Sequence, residues 1–178
     1  IPPGIDPEEF SARRDNPFLT RELGGKRVLF FAGRIARAKG LDVLLEALPR
    51  ILREAGDAHL AIAGENFGER ESLAALAESL GVSRAVSWLG KLSREELLAA
   101  YQHASVFVFP SRYEAFGIAP LEAQAAGCPV VAMDVASLPF IVEHGRTGLL
   151  VPPEDSDGLA RSVLALLANR ELAARLSE

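Results

Sequence analysis

The sequence has a single cysteine, no long apolar run and few histidines. With only Cys128 among its 178 residues, it cannot form an internal disulfide framework, which suits a reducing compartment and predicts a cytoplasmic location. Cys128 lies between Gly127 and Pro129, ahead of an apolar run, and we interpret it as a small core residue rather than a nucleophile. The histidines are scattered and predict no metal site: His59, His103 and His144.

Long apolar segments and positive charge are also missing. No apolar stretch approaches the roughly 20 residues that cross a bilayer, so we expect no transmembrane segment in this chain. Peripheral membrane contact of a full-length protein stays open. The net charge of −5 argues against a nucleic-acid partner, because such a partner requires a basic face.

Strand-length apolar runs alternate with helical patterns along the chain. The runs predict strands at 28–32, 59–63, 85–89, 105–109, 130–133 and 149–151, and the patterns between and after them predict helices near 41–52, 70–80, 157–168 and 171–176. Ser93 and Glu96 form a capping-box sequence that opens another helix, and a further one follows Gly117. Together they predict an α/β fold: a Rossmann-like, doubly wound, mostly parallel six-stranded sheet with helices on both faces.

The chain fits one domain with a short segment before it. Its length is enough to bury a full core. The proline- and glycine-rich opening, with Pro2, Pro3, Gly4 and Pro7, is typical of a linker. We therefore predict a hinge or linker segment at residues 1–25 and one folded domain at residues 26–178. Because the chain begins with Ile1, we expect it to be a piece of a longer protein.

The loop after the first predicted strand carries three cations in six residues of an acidic chain. Arg34 follows the end of the strand, Arg37 comes next, and Lys39 lies just before the helix. A helix N-terminus adds partial positive charge at this edge of a sheet, so the loop suits a diphosphate. The alternative is an ordinary solvated basic loop. No G-x-G-x-x-G motif occurs here, which argues against a dinucleotide dehydrogenase.

Three of the first four predicted strands end in glycine: Gly33, Gly64 and Gly90. Glycine suits any tight turn, which is one explanation. The other is that a ligand lies close against the backbone at the carboxyl edge of the sheet. The glycines alone leave both explanations open.

Glu114 and Glu122 flank Gly117 between an apolar strand and an alanine-rich helix. We expect Pro120 and Glu122 in the first turn of that helix, with free amide groups at its start for an anion or a sugar hydroxyl. Glu122 is then placed to accept both hydroxyls of a ribose, and Glu114 to reach a different hydroxylated group. The alternative is that Glu122 is an ordinary first-turn acid and Glu114 is exposed.

Several motifs of the chain, in order, resemble one protein family. They are Gly33-Arg34 with Lys39-Gly40, the E-x7-E spacing of Glu114 and Glu122, and Ala126-Gly127-Cys128-Pro129-Val130-Val131-Ala132, with Ile1-Pro2-Pro3-Gly4-Ile5-Asp6 before them and Gly148-Leu149-Leu150-Val151 after them. They resemble the C-terminal, donor-binding domain of retaining GT-B glycosyltransferases of family four, over nearly the whole chain.

This resemblance implies roles for individual residues in binding a nucleotide-diphosphate sugar. Arg34 and Lys39 would bind the diphosphate, and Glu122 the ribose. Glu114 and the backbone of residues 116–118 would hold the donor sugar, while the loop Gly90-Lys91-Leu92 would flank the base. The implied catalytic residues are Arg34, Lys39 and Glu114, and the implied donor-binding residues are Gly33, Arg34, Lys39, Lys91, Leu92, Glu114, Phe116, Gly117, Ile118 and Glu122.

The resemblance also implies an overall activity. Such enzymes move a hexose-type sugar with retention of configuration and need no metal or cofactor, and they hold the acceptor in an N-terminal domain that this chain lacks. The chain departs from the usual family pattern at three places, where it has other residues at positions that are commonly glycine: Ala115, Ala136-Ser137 and Glu65-Asn66. Base, sugar and acceptor are therefore not assigned. The alternatives are a nucleotide-sugar epimerase of the same fold and a nucleotide-sugar-binding module without activity.

A glycosidase also uses two carboxylates, but it would not need Arg34 and Lys39. For this reason a glycosidase is the weaker interpretation of the glutamate pair.

Overall fold

Six parallel strands form the centre of the computed structural model, which describes residues 9–10, 14 and 23–177. The strands are β1 (Arg27–Ala32), β2 (Ala58–Ala63), β3 (Val86–Gly90), β4 (Val106–Phe109), β5 (Val130–Met133) and β6 (Leu149–Val151). Their order across the sheet is β3-β2-β1-β4-β5-β6, and every neighbouring pair is parallel. The predicted fold class is confirmed.

Helices cover the sheet. They are α1 (Leu41–Glu54), α2 (Arg70–Ser79), α3 (Arg94–His103), α4 (Ile118–Ala125), α5 (Ser156–Ala168) and α6 (Arg170–Arg175), with 3₁₀ turns at Arg37–Lys39, Ser83–Ala85 and Leu138–Phe140. Right-handed crossovers place α1 and α2 on one face, and the reversed direction of the chain after β3 places α3 and α4 on the other. α5 packs against α1, and α3 packs against α4.

The strands are apolar because both faces of the sheet are buried. Every residue of β2, β4 and β5 is buried. Tyr101 of α3 packs edge-on against Phe30 of β1 and Phe107 of β4, with ring centroids 5.5 Å and 5.2 Å away. This aromatic cluster fixes α3 beneath the adjacent strands β1 and β4, close to where the candidate site lies.

Several predicted boundaries were off by a residue or two, and local hydrogen bonds explain the shifts. β3 begins at Val86 rather than at residue 85 because a 3₁₀ turn, Ser83–Ala85, precedes it. α5 begins before residue 157 because Asp155 caps it, accepting a hydrogen bond of 2.7 Å from the amide of Gly158. α6 starts one residue earlier than predicted, after its cap Asn169. The predicted capping box of α3 is confirmed.

The described part of the leading segment packs on α3. Phe10 is 3% exposed, and its carbonyl accepts a hydrogen bond of 2.9 Å from the side chain of Gln102. Residues 1–8, 11–13 and 15–22 lie outside the described residues, so the domain boundary at residue 25 stays a prediction.

Contacts between neighbouring strand ends account for Gly64 without a ligand. A Cβ atom at Gly64 would lie 1.7 Å from the carbonyl oxygen of Gly33. The amide of Gly64 also donates to the carbonyl of Gly90 over 2.7 Å. Close packing of neighbouring strand ends, which neither of the two explanations named, therefore accounts for Gly64, whereas a Cβ at Gly90 would meet open space.

We expect Gly64→Ala to lower the free energy of unfolding by about 3 kcal/mol, because the added methyl group would collide with the backbone of the next loop. The matched control is Gly56→Ala, whose methyl group would meet only the Leu52 carbonyl at 3.6 Å. Urea unfolding measures both variants. Equal stability of Gly64→Ala and Gly56→Ala would contradict the close approach of the two strand ends.

Candidate functional site

The candidate site lies at the carboxyl edge of the sheet, where β1 and β4 are neighbours. The chain runs from β1 toward one side of the sheet and from β4 toward the other. The loops that follow two such strands diverge, and open α/β sheets bind ligands in the crevice between these loops. Here these are loop A (residues 33–40), after β1, and loop B (residues 110–117), after β4.

Loop A and loop B touch through their backbones. The amide of Arg112 donates to the carbonyl of Ala38 over 2.9 Å, and the hydroxyl of Ser111 lies 3.2 Å from the same oxygen. Gly40 has φ of +64°, and a Cβ there would lie 2.0 Å from the carbonyl oxygen of Pro110. Glycine is therefore required at this position by the contact between the loops.

This contact brings Lys39 and Glu114 together. Lys39 Nζ lies 2.5 Å from Glu114 Oε2, and their side chains are only 12% and 18% exposed. The ammonium group also lies 5.2 Å from the ring centroid of Phe109, the last residue of β4. The alternative prediction that Glu114 is simply an exposed acid is thus not supported.

The charged state of Glu114 is favoured despite its position. Burial raises its pKa, but the hydrogen bond and charge of Lys39, together with the backbone N–H groups of Gly117 and Phe116, lower it below the ordinary value of 4.5. Ser137 supports the same loop by donating a hydrogen bond of 2.8 Å to the Glu114 carbonyl. The result is a fixed, ionised carboxylate beside the start of α4.

Gly117 lets α4 begin beside Glu114. It is the N-cap of the helix, with φ of +68°, so Ile118 and Ala119 are the first residues whose amides find no partner within the helix. The side chains of Phe116 and Ile118 are 58% and 43% exposed. The backbone N–H groups of Phe116 and Gly117 hydrogen-bond the carboxylate of Glu114.

Glu122 does not lie in the first turn, and that prediction was wrong. It is the fifth residue of α4, since the helix starts at Ile118, directly after Gly117. It is 8% exposed and hydrogen-bonded by Arg94 Nη1 and by the hydroxyl of Tyr101, the latter over 3.2 Å. Glu122 is therefore a buried, doubly hydrogen-bonded carboxylate rather than an acid that compensates a helix dipole.

Arg34 and Lys39 share loop A but have different neighbours. Arg34 is exposed and lies over the ring of Phe67, 5.6 Å from its centroid. Lys39 faces Glu114 instead. The structure thus brings together Lys39, Glu114 and the start of α4, and it leaves Arg34 on the side of loop A that faces the β2–α2 loop.

Lys91 lines a cleft of about 250 Å³. The cleft lies at the ends of β1, β2 and β3, and its lining residues are Ile35, Gly64, Glu65, Asn66, Arg70, Trp88, Gly90 and Lys91. Leu92 is half-buried and packs against the core. A second cleft, of about 280 Å³ between α1 and α2, contains none of the predicted site residues.

Arg112 joins three loops around the site. Its guanidinium donates to Asp42 at the start of α1, to Glu154 before α5 and to the carbonyl of Arg37, over 2.7–2.9 Å. Burial raises the pKa of Asp42, but Arg112 lowers it overall. Arg112 thereby braces loop B against loop A.

Sequence reasoning missed four residues that contact the predicted acids or their loop: Arg94, Tyr101, Arg112 and Ser137. Arg94 and Tyr101 lie on α3, and only the tertiary packing of α3 against α4 brings them to Glu122. Arg112 directly precedes Tyr113-Glu114 and was the one available signal, as a cation inside the motif.

The sequence also led to predictions about Cys128, metal-binding clusters and membrane-spanning helices. Cys128 is buried, and burial raises the pKa of its thiol to about 12, which fits a core residue. Across the described ranges, no cluster of three or more His, Cys, Asp or Glu residues could hold a metal ion. None of the helices in the described part of the chain has the length and apolar character to cross a bilayer.

Comparisons with known proteins agree on one family. The family model described as "Glycosyl transferases group 1" matches residues 13–178. A D-inositol 3-phosphate glycosyltransferase of Corynebacterium jeikeium is 37% identical over all of this chain, which covers 45% of that relative. The chain thus spans less than half the length of this relative.

Solved structures of similar fold include sucrose-phosphate synthase from Thermosynechococcus elongatus. It is 30% identical, with a TM-score of 0.87 over 100% of this chain and 45% of that protein. Anabaena HepE in complex with UDP-glucose has a TM-score of 0.88 over 98% of this chain and 49% of its own. At 23% identity, HepE shows likeness of fold alone.

Lys39→Met is expected to raise the pKa of Glu114, because burial then acts without the ammonium group that opposes it. A carboxylate whose folded-state pKa is depressed stabilises the protein above its unfolded pKa, and this stability is lost as pH falls through the folded pKa. The stability difference between wild type and Lys39→Met should therefore be largest near neutral pH and vanish in acid.

Carboxyl-carbon NMR titration and urea unfolding across pH measure the two effects. Lys26→Met, at an exposed cation before β1, is the control and should leave the Glu114 titration unchanged. An identical Glu114 pKa in wild type and Lys39→Met would show that the ion pair does not control this acid.

Proposed function

The chain belongs to the glycosyl transferases group 1 family, and from this premise we propose that it is the donor-binding domain of a retaining glycosyltransferase. In this proposal it binds a nucleotide-diphosphate sugar, and an N-terminal domain outside this chain holds the acceptor. The observation that carries the proposal is the meeting of Lys39 and Glu114 at the switch point between β1 and β4.

Lys39 is suited to hold a diphosphate while it contacts Glu114. An ammonium group has three N–H donors, and Glu114 Oε2 engages one of them. The start of α4 next to it offers backbone amides and the positive end of a helix dipole. Arg34, on the same loop, supplies a second cation whose fork-shaped head group matches phosphate oxygens.

The acids suit the sugars of such a donor. A carboxylate repels phosphate but accepts hydrogen bonds from hydroxyl groups, so Glu122 is assigned to the ribose and Glu114 to the donor sugar. Backbone groups of Phe116, Gly117 and Ile118 lie beside Glu114 and complete this part of the site. The cleft that Lys91 lines at the end of β3 is assigned to the base.

The chemistry of transfer fits this arrangement of charge. Breaking the anomeric C–O bond of the donor leaves negative charge on the β-phosphate, where Lys39, Arg34 and the α4 amides would stabilise it. Removing one preorganised donor of this kind typically costs about 3–4 kcal/mol of transition-state stabilisation. Retention of configuration, a hexose-type donor sugar and the lack of a metal or cofactor are parts of the proposal that rest on the family resemblance.

The base and the sugar are left to experiment. The HepE complex with UDP-glucose makes UDP the first candidate. The name of the Corynebacterium relative refers to D-inositol 3-phosphate, and the acceptor of this protein is not inferred from it. A cytoplasmic location remains a prediction.

The 178-residue chain is expected to bind at least one of UDP-glucose, GDP-mannose and ADP-glucose by calorimetry, and to transfer no sugar alone. Binding follows from the donor site within this chain, and the lack of transfer from the acceptor site outside it. No binding of any nucleotide-sugar would contradict the proposal. Formation of an epimer of the sugar without an acceptor would favour the epimerase alternative.

Lys39→Ala is expected to weaken binding of the nucleoside diphosphate about tenfold or more, and binding of the nucleoside little. A hydrogen bond to a charged group contributes about 1.5–3 kcal/mol. Of the parts of the nucleotide, Lys39 would contact the phosphates and not the nucleoside. Lys26→Ala is the matched control. Equal weakening of nucleoside and nucleotide would place Lys39 away from the phosphates.

A further inference from the structure

Glu122 is held from two sides by residues of α3. Arg94 Nη1 donates to Glu122 Oε1, and the Tyr101 hydroxyl donates to Oε2 over 3.2 Å. Tyr101 is fully buried, and burial raises the pKa of its hydroxyl well above the ordinary value, so the hydroxyl stays protonated as a donor. Each oxygen of the carboxylate therefore has one fixed donor within the protein.

The two donors leave the carboxylate with a matching pair of free positions. An ionised carboxylate has about four lone-pair sites, two on each oxygen. Arg94 and Tyr101 occupy one on each oxygen, which leaves one on each. Two acceptors side by side match the two adjacent hydroxyl groups of a ribose.

Arg94 is itself held in place by the leading segment. Its Nε and Nη2 donate to Glu9 over 2.8 Å and 2.7 Å, in the paired geometry that fixes a guanidinium plane. Its guanidinium carbon lies 5.3 Å from the ring centroid of Phe10, which is buried. The remaining guanidinium nitrogen, Nη1, binds Glu122. The contact with Glu9 therefore determines where Nη1 lies.

We infer that Arg94 and Tyr101 are positioning residues that orient Glu122 toward the ribose of the nucleotide, and that Glu9 extends this arrangement to the segment before β1. The inference rests on the proposed function, since it takes Glu122 as the ribose acceptor. It adds a physical link, through one guanidinium group, between the leading segment and the nucleotide.

A purely structural role for Arg94 has a different consequence. If the ion pairs only tied α3 to α4, then the loss of Arg94 would lower stability or weaken every ligand alike. A positioning role is specific to the ribose hydroxyls, because the phosphates and the base are bound by other residues. Ligands that differ only in those hydroxyls therefore separate the two roles.

The test is calorimetric binding of UDP, GDP and ADP, each paired with its 2′,3′-dideoxy analogue, to the 178-residue chain and its variants. Wild type is expected to bind the ribose form of its preferred nucleotide about tenfold or more tightly than the dideoxy form, because two hydrogen bonds to a charged acceptor are lost. Arg94→Met is expected to reduce this ratio of affinities to about twofold, because it weakens binding of the ribose form only. Tyr101→Phe is expected to reduce the ratio partly.

Further variants keep the result specific. Arg94→Lys keeps a cationic donor to Glu122 and should recover part of the ratio. Glu9→Gln keeps Arg94 but weakens the paired contact that fixes its guanidinium plane, and should give an intermediate ratio. Arg84→Met, at an exposed arginine before β3, is the matched control and should behave as wild type. Thermal unfolding of each variant is measured in parallel.

The outcomes distinguish the inference from the proposed function. A wild-type ratio near one for every nucleotide that binds would contradict the ribose role of Glu122, and with it the inference. If no nucleotide binds, the proposed function itself is contradicted. A large wild-type ratio that Arg94→Met leaves unchanged, or equal weakening of both ligand forms, would overturn the inference alone.

Discussion

The backbone contact between the loops that follow β1 and β4 is the constraint on which the site depends. Gly40 lies against the Pro110 carbonyl so closely that no side chain fits between them. Arg112 fastens the same region by its amide to Ala38 and by its side chain to the start of α1. Because both loops are fixed at the edge of a buried sheet, Lys39 and Glu114 meet with few degrees of freedom left to them.

Two carboxylates at this edge are held by different partners. Glu114 has a lysine from loop A and backbone N–H groups of its own loop. Glu122 has an arginine and a tyrosine from α3. Without its partners, burial would raise the pKa of Glu114, and a protonated Glu114 would stop accepting at one oxygen. Separate partners let each acid keep acceptor sites free, so the acids can serve different parts of one ligand.

The sequence predicted the parts of this structure that depend on local pattern. Continuous apolar runs such as β2 and β4 predicted the buried parallel sheet, and the Ser93–Glu96 spacing predicted the start of α3. The place of Glu122 in its helix was not predictable from Pro120 alone, because Gly117 in a left-handed conformation starts the helix earlier. Arg94 and Glu122 are 28 residues apart along the chain, and their contact depends on the packing of α3 against α4, which no local pattern encodes.

Ala136 shows how a departure from the family pattern is accommodated beside the site. Its φ of +48° lies in the left-handed region, where an alanine costs roughly 1–2 kcal/mol. The next residues explain why the backbone keeps this conformation: Ser137 hydrogen-bonds the Glu114 carbonyl, and Leu138 packs where a Cβ at Gly117 would lie. A relaxed Ala136 would move both supports away from loop B. The strain at Ala136 is therefore opposed by the contacts of Ser137 and Leu138 with loop B, which hold Glu114 in place.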